Sequence, residues 1–248
     1  MSNQPASTID WTAFDAVLFD LDGVLTSTAR LHAAAWKRTF DEFLADRHPS
    51  SQPPFDIDSD YRAYVDGRPR FDGVATFLES RDIHLPWGDP GDAPGWDTVC
   101  AIGNSKNEMV TAILRSEGVE VYPGSLDLLD YLAPIGVALA VVSASANAAA
   151  VLRAAGIAER FRVRVDGVVA ADLALAGKPA PDPFLEAARR LGVAPGRAVV
   201  VEDAVAGVEA GVAGRFGFVV GVDRHGDPES LRRAGATLVV SDLGELVP

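Results

Sequence analysis

Short apolar runs mark out the chain. One is Ala16–Phe19; others lie at residues 137–142, 198–201, 218–220 and 237–240. Apolar runs of this length, bounded by turn signals, suit strands buried on both faces of a parallel sheet. Between the later runs lie segments with helical spacing, at 126–132, 147–155 and 184–191. Asp182-Pro183 predicts an N-cap followed by proline at the first helical position. From about residue 118 onward, strands alternate with helices, which predicts an α/β fold with a doubly wound, Rossmann-like parallel sheet.

Residues 30–117 follow another rule. Helical spacing appears at 31–44, 71–79 and 105–117, without a run of the buried parallel type. The loops between, 48–60 and 85–97, are rich in Pro, Gly and Asp. The pattern predicts a helical insert after the first strand: residues 1–29 and 118–248 form the α/β domain and 30–117 a helical domain. The chain would cross between them near 26–30 and 117–123. The turn-rich stretch 86–96 holds two tryptophans, for which packing within the insert is the default expectation.

Composition narrows the function classes. At 248 residues, 48% hydrophobic and 23% charged, the chain can bury a sizeable core. A formal charge of −13 argues against nucleic acid or an anionic membrane surface as partner. No run approaches the roughly 20 apolar residues of a membrane span. Met1 to Asp10 is polar, without the apolar core of a secretory leader. A single cysteine, Cys100, excludes an intrachain disulfide and fits a reducing cytoplasm. Without a supporting motif it reads as a small buried hydrophobe. No obligatory protein partner is evident.

The chemistry is written at the strand ends. The first run ends in Asp20-Leu21-Asp22-Gly23, so two acids stand at the carboxyl end of a strand, where open α/β sheets place their ligands. Capping a helix would need only one of them. Ser143 follows the run at 137–142, Glu202-Asp203 follow the run at 198–201, and Lys178 lies between in a Gly-Lys-Pro sequence. Singly, these read as a turn serine, a surface lysine and a helix start. Together they match phosphoryl transfer. A carboxylate can attack phosphorus and form an acyl phosphate. Mg²⁺ takes oxygen ligands, with Asp20 and Asp203 as side-chain candidates. Asp22 is placed for general acid and base work. Ser143 can bond a phosphoryl oxygen, and Lys178 supplies fixed charge.

These four motifs, in this order, resemble those of the haloacid dehalogenase-like superfamily. The resemblance implies that the helical insert is a cap domain and that Asp20 is both nucleophile and metal ligand. It also implies that Asp22 contributes its backbone carbonyl to the metal, with Glu202 at or beside the coordination sphere. It makes Lys178-Pro179 a candidate cis peptide bond.

A narrower resemblance, to the β-phosphoglucomutase group, rests on residues 20–36, Tyr122-Pro123-Gly124, the Ser143–Asn147 stretch, Asp66-Gly67-Arg68-Pro69-Arg70 and Lys106-Asn107. It implies that Thr28, His32, Trp36, Arg70, Lys106 and Asn107 lie around the cap face of the site. Arg70 would hold the non-transferring phosphate, and His32 would serve acid/base handling and closure. Ser145 and Asn147 would bind phosphate and sugar hydroxyls. That group often has Asp where Ser27 stands here. His32 and Trp36, four apart, share one helix face, which also suits simple packing. The implied activity converts β-glucose 1-phosphate to glucose 6-phosphate through a glucose bisphosphate. The alternatives are a phosphatase acting on a small phosphorylated metabolite and, ranked below it, a non-catalytic phosphometabolite-binding protein.

Overall fold

The structure, a computed structural model, describes residues 9–48 and 52–248. The leaderless reading of the N-terminus falls mostly on residues 1–8, outside the described residues; so does the 49–51 part of the 48–60 loop. The chain divides into two compact units, Met1–Ser27 with Glu120–Pro248, and Thr28–Val119.

The first unit is built on six parallel strands: β1 (Ala16–Phe19), β2 (Ala138–Val142), β3 (Val163–Val165), β4 (Ala198–Glu202), β5 (Phe218–Val222) and β6 (Leu238–Val240), in the order β3-β2-β1-β4-β5-β6. Ala16, Leu18, Ala140, Val142 and Val200 point to one core face. Their alternates Val17, Phe19, Val141, Val199 and Val201 are equally buried, so both faces are covered. That is why these strands read as unbroken apolar runs. Each large apolar side chain withdrawn from water stabilises the unit by roughly 1.5–3 kcal/mol.

Register positions the site. Phe19 pairs with Val141 on β2 and with Val201 on β4. One residue on, Asp20, Val142 and Glu202 therefore stand level at the carboxyl edge of the three central strands. Helices α4 (Pro123–Ile135), α5 (Ala148–Ala154), α6 (Gly167–Asp172), α7 (Asp182–Leu191), α8 (Val205–Ala213) and α9 (Pro228–Arg233) complete the unit. Its two ends toward the insert pair with each other: the Ser27 amide donates to the Glu120 carbonyl at 3.0 Å and the Tyr122 amide to that of Leu25 at 3.1 Å.

The second unit holds α1 (Thr28–Arg47), a single π-helical turn Tyr61–Val65, α2 (Arg70–Ser80) and α3 (Val99–Glu117). Its core is aromatic. Phe40 stacks on Trp36 with ring centroids 5.0 Å apart and packs against Phe55 and Phe77. No helix among the described residues is long and apolar enough to cross a membrane.

The structure departs from sequence expectation where local signals are weak. Strand β3 is a three-residue edge strand whose middle residue, Arg164, is exposed, so it shows no apolar run. Helix α3 begins six residues before the expected 105. Its first turns contain Gly103, a poor helix former, whose missing Cβ admits the Phe71 ring: a Cβ there would lie 2.7 Å from it. Asp182 is the first residue of α7 and makes no capping bond; the cap position is Pro181. Of the two loop tryptophans, Trp96 packs near Phe43, at 6.2 Å between rings, while Trp87 is 48% exposed. Cys100 is buried, and burial pushes its thiol pKa up.

Candidate active site

The sheet edge gathers buried charge. The Asp20 amide continues the ladder by donating to the Val201 carbonyl at 2.9 Å. Its carboxylate accepts from the Lys178 ammonium at 2.5 Å, and the same ammonium donates to Glu202 at 2.5 Å and to the Val142 carbonyl at 3.1 Å. Lys178 enters from a loop whose Lys178-Pro179 peptide is cis. Burial alone would push its pKa down, but Asp20 and Glu202 outweigh that and hold it protonated, above the ordinary lysine range. Burial pushes the Asp20 carboxyl well above the ordinary carboxylate range; Lys178 opposes this, and the charges of Glu202 and Asp22 add to it.

Glu202 is held at both ends. Its second oxygen accepts from the amides of Asp203 and Ala204, at 3.1 and 3.2 Å, just before α8, whose start has no side-chain cap. Space for the carboxylate comes from Gly207 in the first turn of α8: a Cβ there would lie 1.9 Å from the carboxyl carbon. Asp203 finds room in the same way. Gly23 adopts φ +93°, and a Cβ on it would lie 1.8 Å from an Asp203 oxygen. Asp20, Glu202 and Asp203 can each bring a carboxylate oxygen within 4.8 Å of the others, and all three are buried. An oxygen-only set of this kind suits a hard divalent cation.

Asp22 points elsewhere. Its side chain is outside that three-acid group and accepts from the Ser143 hydroxyl at 3.3 Å. Ser143 in turn accepts the Ser145 amide at 3.1 Å, and the Ser145 hydroxyl accepts the Asn147 amide at 3.1 Å. Thus Asp20, Asp22, Ser143, Lys178, Glu202 and Asp203 come together, with Ser145 and Asn147 on the turn that follows Ser143.

The helical unit carries a cluster of its own. The buried Lys106 ammonium lies 2.7 Å from His32 Nδ1 and 4.8 Å from the centre of the Trp36 ring. Trp36 therefore serves both the aromatic core and a cation. Arg70 opens α2, and its stem lies 3.6 Å from where a Gly103 Cβ would be, one helical turn before Lys106. Burial pushes the pKa of this guanidinium down. Thr28 is the buried first residue of α1. Asn107 is half-buried on α3, where its carbonyl accepts from Thr111.

Sequence reasoning missed the side chains that hold the turn after β1. Thr26 Oγ1 donates to the Leu21 carbonyl at 3.1 Å, Arg224 Nε to that of Gly23 at 2.7 Å, and the buried Ser125 hydroxyl to that of Val24 at 2.7 Å. Ser125 and Arg224 are 101 and 201 residues from their acceptors, and neither carries a motif.

The Gly207 space makes a prediction whose sign opposes helix propensity. Alanine normally gains about 1 kcal/mol over glycine inside a helix. Here Gly207→Ala should instead cost about 1–3 kcal/mol, because the Glu202 carboxylate occupies the methyl position. Urea unfolding checks this; a variant as stable as the parent or more so would contradict the packing described.

A family model for haloacid dehalogenase-like hydrolases matches residues 14–215. The chain is 49% identical to the β-phosphoglucomutase of Mycobacterium bovis over 94% of this chain and 91% of that one. Among solved structures it is similar to β-phosphoglucomutase from Clostridium difficile, with TM-score 0.76, 26% identity and coverage of 94% and 93%. It is also similar to CbbY from Rhodobacter sphaeroides in complex with xylulose-(1,5)bisphosphate, with TM-score 0.70, 28% identity and coverage of 94% and 96%. By the family match and the near-full-length relative alike, the chain belongs to the haloacid dehalogenase-like hydrolase family.

Proposed function

We propose that this protein is a β-phosphoglucomutase, converting β-glucose 1-phosphate to glucose 6-phosphate through a phosphorylated Asp20 and a glucose bisphosphate. The observation that carries the phosphoryl-transfer reading is the Lys178 ammonium held between Asp20 and Glu202 beside the Asp22–Ser143 pair. Full-length similarity to β-phosphoglucomutases favours the mutase over a simple phosphatase.

The residues fit a magnesium ion. Asp20, Glu202 and Asp203 offer a compact oxygen-only set, and Asp203 fills the space left by the missing Gly23 side chain. Asp20 and Asp203 would hold the ion, with Glu202 at its margin and Asp22 contributing its backbone carbonyl. Bound there, magnesium would supply positive charge to the attacking carboxylate and the transferring phosphoryl oxygens.

The side chains then divide the work. An Asp20 oxygen attacks phosphorus while the bond from phosphorus to the sugar oxygen breaks, and Asp22 gives that oxygen its proton. In the return half, Asp22 takes the proton from the other sugar hydroxyl as it attacks the acyl phosphate. Lys178 offsets the charge on Asp20 and the phosphoryl group, and the Ser143 hydroxyl bonds a phosphoryl oxygen. Ser145 and Asn147 bind the phosphate and sugar hydroxyls. The helical unit acts as the cap. Arg70 grips the phosphate that is not being transferred. Thr28, Trp36, Lys106 and Asn107 lie on the cap face and bind substrate, His32 serves acid/base handling and closure, and closure excludes water from the acyl phosphate.

Glucose 6-phosphate and free phosphate followed together, with β-glucose 1-phosphate, magnesium and a trace of glucose 1,6-bisphosphate, test this reading. Glucose 6-phosphate should appear well ahead of free phosphate, and a chelator should stop both. Free phosphate released faster would turn the reading to a phosphatase. For the cap, Arg70→Ala should lower mutase kcat/KM by about tenfold to hundredfold, the range expected for losing a charge-assisted bond to phosphate. An unchanged kcat/KM would remove Arg70 from the site.

A further inference from the structure

The turn that carries Asp22 has a weakness in its own sequence. Gly23 follows Asp22 and adopts φ +93°. Glycine is required there because of the positive φ and the Asp203 oxygen in its Cβ position. Glycine is also the residue that populates the most backbone wells, so its presence alone does not select one. Within the turn, the Gly23 amide donates to the Thr26 carbonyl at 2.8 Å. The Gly23 carbonyl is held from outside, by Arg224 Nε at 2.7 Å.

Arg224 is itself fixed on several sides. Its Nη1 donates to the Ser241 carbonyl at 3.0 Å and lies 3.4 Å from Asp242 Oδ2, beyond the end of β6. Its guanidinium carbon sits 3.7 Å from the centre of the Tyr122 ring. Its side chain is 14% exposed, and Nη2 is buried without a hydrogen-bond partner among the described residues. The fork's Nε and Nη1 are both committed to backbone carbonyls, those of Gly23 and Ser241, across the face of the Tyr122 ring.

We propose that Arg224 is a positioning residue: by pinning the Gly23 carbonyl from a fixed mount on Ser241 and Tyr122, it selects the backbone well that aims Asp22 at the departing oxygen. The inference rests on the acid/base role proposed for Asp22. A positioning defect would be felt in proportion to how much the leaving group needs a proton. A defect in stability or metal binding would slow all donors alike.

The test compares two donors of similar shape. First-turnover release of the phenol is measured from para-nitrophenyl phosphate, whose leaving group needs little protonation, and from phenyl phosphate, whose leaving group needs more. The protein is the full chain with saturating magnesium, and circular dichroism checks that each variant is folded. Asp22→Asn is the control and should widen the ratio of the two rates most. Arg224→Met should widen that ratio by about tenfold over the parent, a part of the roughly hundredfold or greater effect that a general acid supplies. Arg224→Lys keeps the charge without the fork and should fall between. A folded Arg224→Met or Arg224→Lys protein that slows both donors in parallel, or neither, overturns the inference while the Asp22 role stands. If Asp22→Asn leaves the ratio unchanged, the acid/base role falls and the inference with it. If Arg224→Met does not fold, Arg224→Lys decides by the same ratio.

Discussion

One buried ammonium organises the carboxyl edge of the sheet. Lys178 is bonded at 2.5 Å to Asp20 on one strand end and at 2.5 Å to Glu202 on another. Two carboxylates level on adjacent parallel strands and out of water would repel, and each would carry a heavy desolvation cost. The cation between them makes the arrangement tolerable. Truncating one member of such a buried set typically costs about 3–5 kcal/mol, because the remaining charges lose their compensation. The register of β1 against β2 and β4 places the strand ends level, and the loop after α6 delivers the lysine to that level.

Around this centre, missing side chains do as much as present ones. Gly207 leaves space for the Glu202 carboxylate and Gly23 for that of Asp203. Acids thereby crowd the end of a sheet whose three central strands, β2, β1 and β4, are otherwise apolar. The turn after β1 is braced from within by the Thr26 hydroxyl on the Leu21 carbonyl and from outside by Arg224 and Ser125 on those of Gly23 and Val24. In the helical unit an aromatic core reaches the same end by another route. Trp36 is stacked on Phe40 on one side and faces the Lys106 ammonium, so core packing fixes a cation next to His32.

The legible parts were those with a local signature. Ala16–Phe19 announces a buried strand by its own composition, and Asp20 and Asp22 announce its end. The same holds for β2 before Ser143 and β4 before Glu202. The parallel sheet and the convergence of Asp20, Lys178, Glu202 and Asp203 could therefore be read ahead of the structure. The edge strand β3 could not, because a central exposed arginine breaks its apolar pattern. The start of α3 was hidden by Gly103, whose reason lies in the Phe71 ring and not in the helix. Arg224 and Ser125 were invisible for a different cause. Each is an ordinary polar residue whose partner carbonyl is a hundred or more positions away, and carbonyls leave no mark in a sequence.

The claim that joins these features is that Asp20 takes up the phosphoryl group. The protein can be incubated with glucose 1,6-bisphosphate and magnesium, quenched in acid and digested, and its peptides weighed. One phosphoryl increment should fall on the peptide containing Asp20 and Asp22, fragmentation should assign it to Asp20, and Asp20→Asn protein should show none. An increment on any other peptide, or one that persists undiminished in Asp20→Asn, would contradict the account.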